Sequence, residues 1–457
     1  MQTLRLKPRH ALPLFSRHPW VFATALQKGA DGSDLMPGME VVVATDRGEP
    51  IARGLVNPAS LIRVRLYSWT PDKAITNELL ASRIRAAIEL RRGLGYGDSC
   101  RLIFSEADGL SGLTVDSYDR YLLVQLTSAA LATRVESLLD LLEAELSPPG
   151  IWLRTDPEIA SKEGLDPVDR LARGDTPPRP ITISQPTADG TLTYFVDLRG
   201  GQKTGFYYDQ RENRIAAAAY AAGQRVFDGH CYTGGFAFTA AKAGAKSVLA
   251  VDSSESAITM ARLNAEANDL HRTVTFEEAD VGDRLAELHR DGETFGVVIV
   301  DPPKLARSRK GLSRALKAYV RLNVAAVSVL EPGGILVTHS CSGLVRDEDF
   351  DQMLQQVALQ TGRTIRILER RQAARDHATS VYCLETDYLT CRICHVDGPT
   401  TSLDNGTTGQ QSVEQPTKEA DADAVLDADS ARAASSAALA DAAPNAESAA
   451  DAPTQPT

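Results

Sequence analysis

Two short stretches bring together residue types able to do chemistry: VVIVDPPK, residues 297–304, and GGILVTHSCSG, residues 333–343. In each, an apolar run stops at a reactive group, Asp301 in the first and Cys341 in the second. Two consecutive prolines fix φ and remove two backbone donors, so Asp301-Pro302-Pro303-Lys304 predicts a stiff turn held away from helix, a ledge suited to a flat base. Cys341, between Ser340 and Ser342, reads equally as a small packing residue or as a nucleophile held in place. His339 and Lys304 are neighbouring cations able to lower a thiol pKa. A thiolate and an acid on adjoining strand ends suit one demanding reaction. Sulfur adding to C6 of a cytosine makes C5 an enamine carbon that attacks an electrophilic methyl group; removal of the C5 proton then expels the thiolate, and an acid near N3 stabilises the adduct.

The elements that must position these groups follow from periodicity. After Gly223 the runs RVFD, SVLAVD, VTFEEAD, FGVVIVD and GILVTHSC are each followed by ten to twenty residues of helical pattern. Such alternation predicts an α/β fold, a parallel sheet with helices on both faces. Ligands of these sheets bind outside the carboxyl ends of the strands. The five runs end in Asp228, Asp252, Asp280, Asp301 and Cys341, so five polar groups are expected in register on one edge. A single strand-terminal aspartate is commonly no more than a turn or helix cap. The first loop, DGHCYTGGF, is glycine-rich, and Asp252 lies where an acid takes both hydroxyls of an adenosine ribose. NAD and S-adenosylmethionine both meet that description. Gly229, Gly234 and Gly235 do not have the G-x-G-x-x-G spacing a pyrophosphate requires, which favours S-adenosylmethionine. Asp280 is then placed to accept from the adenine amino group.

At 457 residues with 43% apolar content, the chain can bury two or three cores. No run of eighteen apolar residues occurs, which argues against a membrane span. The N-terminus, MQTLRLKPRHALPLF, lacks the pattern of a secretory signal, and six cysteines without framework spacing suit reduced thiols, so a cytoplasmic location is expected. The net charge of −11 is uneven: residues 396–457 carry 11 acidic and 2 basic side chains, leaving 49 acidic against 47 basic in the first 395. A near-neutral body can hold a basic groove, so global charge does not exclude an RNA partner. The Ala-, Asp-, Ser- and Pro-rich tail reads as disordered.

The expected divisions are 1–76, a small barrel of short β-runs (MEVVVAT, IARGLV, LIRVRLY); 77–190, a middle α+β segment; 191–395, the parallel-sheet domain; and the acidic tail, 396–457. The middle segment opens with NELLASRIRAAIELRRGLG, where Leu80, Ile84, Ala87, Ile88 and Arg91 recur at helical spacing and Gly93 and Gly95 close the helix.

The stretch LRGGQKTGFYYDQRENR, the loop CYTGGF, and then DPPK and SCSG closely resemble the bacterial large-subunit ribosomal RNA cytosine-C5 methyltransferase I family. SRHPWVF and ARGLVNPASLIRVR are similar to its N-terminal PUA domain, an RNA-binding barrel, and SEADGLSGLTVDSYDRYLLVQL to its middle domain. The likeness spans about residues 1–395. It implies a Rossmann-like class I methyltransferase using S-adenosylmethionine on RNA, with Cys341 the nucleophile and Asp301 the acid at the base. By the same resemblance, Asp228, Gly229, Gly234, Gly235, Phe236, Asp252, Asp280, Tyr207 and Gln210 contact the cofactor. Lys203, Tyr207, Asp209, Gln210 and Arg211 close over the site. Pro302, Pro303, Lys304, Lys203, Arg211 and Arg307 are expected at the substrate. His230 and the acidic tail depart from the family pattern.

Two further stretches carry chemical signatures. CRICH, residues 391–395, matches the covalent-haem signature C-x-x-C-H, but it reads better as the closing strand of the sheet, and zinc lacks a second ligand pair. No metal is expected. ARSRKGLSRALKAYVR, residues 306–321, is a basic run starting beside the proline ledge, either a solvated helix face or a phosphate contact. In the barrel, Arg17, His18 and Arg53 are RNA-contact candidates on resemblance, whereas Trp20 and Phe22 are expected to pack.

Overall fold

The computed structural model describes residues 1–199, 205–306 and 308–399. Lys203, Arg307 and the acidic tail from residue 400 lie outside the described residues. Strands β1 (Gln2–Arg5), β2 (Trp20–Phe22), β3 (Glu40–Ala44), β4 (Pro50–Val56) and β5 (Ile62–Ser68) form an N-terminal sheet in the order β1-β3-β4-β5-β2. Period-two positions such as Val41 and Val43, or Val64 and Leu66, point into its core, as alternation requires.

The middle segment begins with a helix over Asn77–Gly93, whose Thr76 side chain caps the amide of Leu79. This helix buries Leu80, Ile84, Ala87, Ile88 and Arg91, the face its spacing predicts. It packs on β6 (Cys100–Phe104), β7 (Leu113–Tyr118), β8 (Tyr121–Leu126), β9 (Gly150–Thr155) and β10 (Val168–Gly174), a sheet of order β10-β9-β8-β7-β6.

The hairpin β11 (Ile181–Thr187) and β12 (Gly190–Val196) is a sheet of its own. Its Ile181, Ile183, Leu192 and Tyr194 enter the core of the C-terminal domain. The join therefore falls at the proline-rich stretch 177–180 instead of at residue 190, because the hairpin's apolar face has its partner downstream.

That domain contains β13 (Arg225–Gly229), β14 (Ser247–Asp252), β15 (Val274–Glu278), β16 (Phe295–Val300), β17 (Leu330–Ser340), β18 (Arg363–Arg371) and β19 (Thr390–Pro399). The sheet order is β15-β14-β13-β16-β17-β19-β18, with β13 to β17 parallel and β19 antiparallel to both neighbours. Val297 and Ile299 face one core, Val298 and Val300 the other, so a continuous apolar run is what a doubly covered strand needs. Between β13 and β16 the strand order reverses, opening a crevice at their carboxyl ends. The closing strand β19 runs to Pro399, past the expected boundary at 395. On it, Cys391 faces one core and Cys394 the opposite one, so the two thiols of CRICH cannot share a ligand.

Buried polar ties lock the three modules together. Trp20 Nε1 and Arg65 Nη1 both donate to Glu106 Oε1 at 2.9 Å. Arg91 Nη2 donates to the Asp376 carbonyl at 2.8 Å, and Asp376 Oδ2 accepts from the Arg101 amide at 3.0 Å. No helix among the described residues is long and apolar enough to cross a membrane.

Candidate active site

Strand β13 delivers Asp228 to the floor of the crevice, where its carboxyl is fully buried. Oδ2 accepts from the Ala237 amide at 2.8 Å, in the first turn of the helix Gly235–Lys242. Oδ1 has no partner among the described residues. Burial pushes this acid up to about 8; the Ala237 amide opposes the rise and the neighbouring Asp301 charge adds to it.

The loop that follows is tightly wound. His230 (φ 61), Tyr232 (φ 49) and Gly234 (φ 90) are all left-handed, two of them with side chains. A Cβ on Gly234 would stand 2.5 Å from the Phe238 ring, so this left-handed turn requires glycine. His230 Nδ1 is buried without a partner among the described residues, and burial drives the pKa of the ring down. One strand along, Asp252 accepts from the amides of Tyr232 and Ser254, both at 2.9 Å. A buried carboxylate oxygen awaiting a donor, a loop without room for a side chain, and an acid on the adjoining strand fit a ligand with an ammonium group and a ribose, as S-adenosylmethionine has.

Asp301 follows β16 and is half-buried, its Oδ2 accepting from Gln210 Nε2 at 2.9 Å. Cys341 follows β17. Of the six cysteines it alone is not buried, and its Sγ lies 3.8 Å from the Pro302 carbonyl, against the proline ledge. The flanking serines hold it there. Ser340 Oγ is 2.9 Å from the Tyr319 hydroxyl, and Ser342 Oγ exchanges hydrogen bonds of 3.2 Å with the Ala306 amide and carbonyl. Both serines face inward, so the cysteine between them faces out.

Other expected site residues are placed differently. His339 is fully buried, its ring packed on Phe236 and its Nδ1 3.1 Å from the Val300 carbonyl. Burial lowers its pKa, so it is not the cation expected beside the thiol. Arg211 is buried between the rings of Tyr96 and Tyr208, at 5.0 and 5.1 Å, and donates to the Ser99 carbonyl. It ties the sheet domain to the middle segment and is not available to a substrate phosphate. Phe236 is a core residue, and Lys304 and Pro302 are buried while Pro303 is exposed. Strand β15 stops at Glu278, and Asp280 lies beyond it as the N-cap of the helix Val281–Arg290, accepting from the Asp283 amide. Tyr207 meets the Tyr232 ring edge-on at 5.2 Å, beside the glycine loop. In the N-terminal sheet, Arg53 pairs with Glu40, His18 with Glu385 at 3.2 Å, and Arg17 lies over the Tyr382 ring.

Sequence reasoning missed Asn213, Arg371 and the buried Arg214. Asn213 donates to Gln210 Oε1 at 2.7 Å, and its three-residue spacing from Gln210 was a usable signal for a shared helix face. Arg371 reaches Asn213 from β18, which no local pattern announces.

Comparison with known proteins bears on these features. Residues 4–69 match the PUA-like domain family and residues 180–374 the S-adenosylmethionine-dependent methyltransferase family. The Ribosomal RNA large subunit methyltransferase I of Photobacterium profundum is 38% identical over 384 residues, covering 83% of this chain and 96% of that protein. The protein of the same name from Aeromonas hydrophila is also 38% identical over 384 residues, covering 82% and 94%. Among solved structures, a proposed methyltransferase complexed with SAH superposes with a TM-score of 0.74 at 19% identity, over 86% of this chain and all of that one. A proposed SAM-dependent methyltransferase from Streptococcus mutans gives 0.73 at 18% identity, with the same coverage.

Proposed function

Because the chain belongs to the ribosomal RNA large subunit methyltransferase I family, we propose that it methylates C5 of a cytosine in large-subunit ribosomal RNA through a transient adduct with Cys341. S-adenosylmethionine is the cofactor, and when bound it supplies an electrophilic methyl group. Asp228, Asp252 and the backbone around Gly234 would hold it, with Tyr207 closing one side. The target base leaves its stack to lie on the Pro302-Pro303 ledge. Cys341 adds to C6, Asp301 meets the N3 edge, and departure of the C5 proton expels the thiolate. The exposed cations Arg314, Lys317 and Arg321, on the helix Leu312–Ser328 downstream of the ledge, are candidates for backbone phosphates.

One observation carries this reading: the single unburied cysteine lies against the carbonyl of the residue following Asp301. Its test is Cys341→Ala. Methylation of large-subunit RNA should be abolished while affinity for S-adenosylmethionine stays within about two-fold, since the thiol makes no contribution to the cofactor cradle. Full activity in that variant, or mass spectrometry locating the methyl group on guanine N7 or an exocyclic amine, would refute the thiol mechanism.

A further inference from the structure

We propose that Gln210, Asn213 and Arg371 form a one-way hydrogen-bond relay that aims Asp301 at the base, with Gln210 the positioning residue; this rests on the role for Asp301 proposed above. The relay starts at the edge strand β18. Arg371 Nε donates to Asn213 Oδ1 at 3.1 Å, and Asn213 Nδ2 donates to Gln210 Oε1 at 2.7 Å and to the Gln372 carbonyl at 3.1 Å. Gln210 Nε2 then donates to Asp301 Oδ2 at 2.9 Å. Arg371 is itself fixed, by Glu369 Oε2 at 2.9 Å and the Glu212 carbonyl at 3.3 Å.

The direction of this chain is set at its start. A guanidinium only donates, so Asn213 presents its oxygen to Arg371 and its amino group to Gln210, and Gln210 in turn presents its amino group to Asp301 Oδ2 whether that carboxyl is ionised or carries a proton on Oδ1. Flipping either would oppose an amino group to Arg371 or a carbonyl to Asp301. Gln210 is 3% and Asn213 1% exposed, so water cannot repair a flipped amide. Sequence reading placed Gln210 among the cofactor contacts, but both ends of its side chain are directed along the relay.

The consequence concerns a proton. With Oδ2 accepting from Gln210, any proton Asp301 carries must sit on Oδ1. As the Cys341 sulfur bonds to C6, the C5=C6 electrons move to C4–C5 and the C4=N3 electrons to N3, which takes the Oδ1 proton; once C5 has gained its methyl group C4=N3 re-forms and the proton returns to Oδ1, and loss of the C5 proton to solvent water expels the thiolate from C6. Titratable groups close enough to act on Asp301 are Asp228 on β13, His230 in the loop, Arg214 on the helix Arg211–Ala218, Tyr319, His339 and Cys391.

The test uses the full chain, ribosomal RNA and two substitutions. Gln210→Glu sets a second carboxyl on Oδ2, so two acids share one proton; the pH–rate profile should move up by about one unit or more. Its kcat should fall between about ten- and a hundred-fold. Asn213→Asp can no longer donate to Gln210 and turns its amide around; kcat should fall similarly with Gln210 intact. In both, affinity for S-adenosylmethionine by calorimetry should stay within about two-fold, which also reports folding. A wild-type profile and kcat in Gln210→Glu overturns the relay. So does loss of cofactor affinity in step with kcat, which would make Gln210 a cofactor contact. Wild-type enzyme on RNA containing 5-fluorocytosine separates the two layers: a trapped adduct with unchanged variants sinks only the relay, and no adduct sinks the thiol mechanism with it.

Discussion

Cofactor binding should release a proton from Asp228. Its carboxyl is buried and pushed up to about 8, so at pH 7 about nine-tenths of it is protonated in the free enzyme. S-adenosylmethionine carries an ammonium and a sulfonium, and a cation beside Asp228 Oδ1, which has no partner among the described residues, favours the anion. If binding draws the apparent value below 6, about 0.8 proton leaves per cofactor bound at pH 7, and the two-unit drop adds roughly 3 kcal/mol to binding at alkaline pH. The same acid makes free-enzyme stability pH-dependent. Its folded value lies above the unfolded 3.8, so the stabilisation from holding the proton is full below about pH 4 and is lost as pH climbs through about 8. The assay is calorimetric titration at pH 7 in buffers of different ionisation enthalpy, with Kd followed from pH 6 to 8. Kd should tighten by up to about ten-fold per unit over that range. Asp228→Asn, which cannot ionise, should bind without proton release and with a flat profile. Wild-type protein that released less than about 0.2 proton and bound independently of pH would refute the reasoning, because a buried acid facing a bound cation cannot stay protonated.

Two other expectations concern the loop and the RNA. Gly234→Ala forces a left-handed alanine whose Cβ meets the Phe238 ring at 2.5 Å, and that ring is packed between Tyr194 and Phe276. Denaturant unfolding should show a loss of roughly 2–4 kcal/mol from strain and overpacking together; a neutral result would mean the loop can rewind. Replacing Arg314, Lys317 and Arg321 by Gln should weaken RNA binding across sequences and flatten the log–log salt dependence by about two, at roughly 0.7 per phosphate contact on a single strand. An unchanged slope in filter binding would leave those cations as a solvated face.

Parts of this molecule were legible one residue at a time. The five runs became β13 to β17: a central strand such as β16, buried on both faces, declares itself by a continuous apolar run, whereas β15 at the sheet edge shows the alternation of a half-exposed strand. The Asn77–Gly93 helix was readable from the helical spacing of its buried face, down to the buried Arg91 at its predicted position. Asp280 was harder: the strand end and the helix cap are two readings of the same aspartate, and the cap is what the backbone around it forms.

Residue type and local spacing determined the sheet, the glycine turn, the rigid Asp301-Pro302-Pro303 ledge and the presence of a cysteine at the end of β17, since each depends on neighbours within a turn or a strand. What a long polar side chain does depends on which distant segment it meets. Only the packed chain decided that Arg211 is clasped by Tyr96 and Tyr208, that His339 is buried and stripped of its charge, that the CRICH thiols face opposite cores, and that Gln210 serves Asp301 through Asn213 and Arg371. Those partners come from segments up to 159 residues away in Arg371 with Glu212, and a hydrogen bond at that separation leaves no periodic trace in the chain.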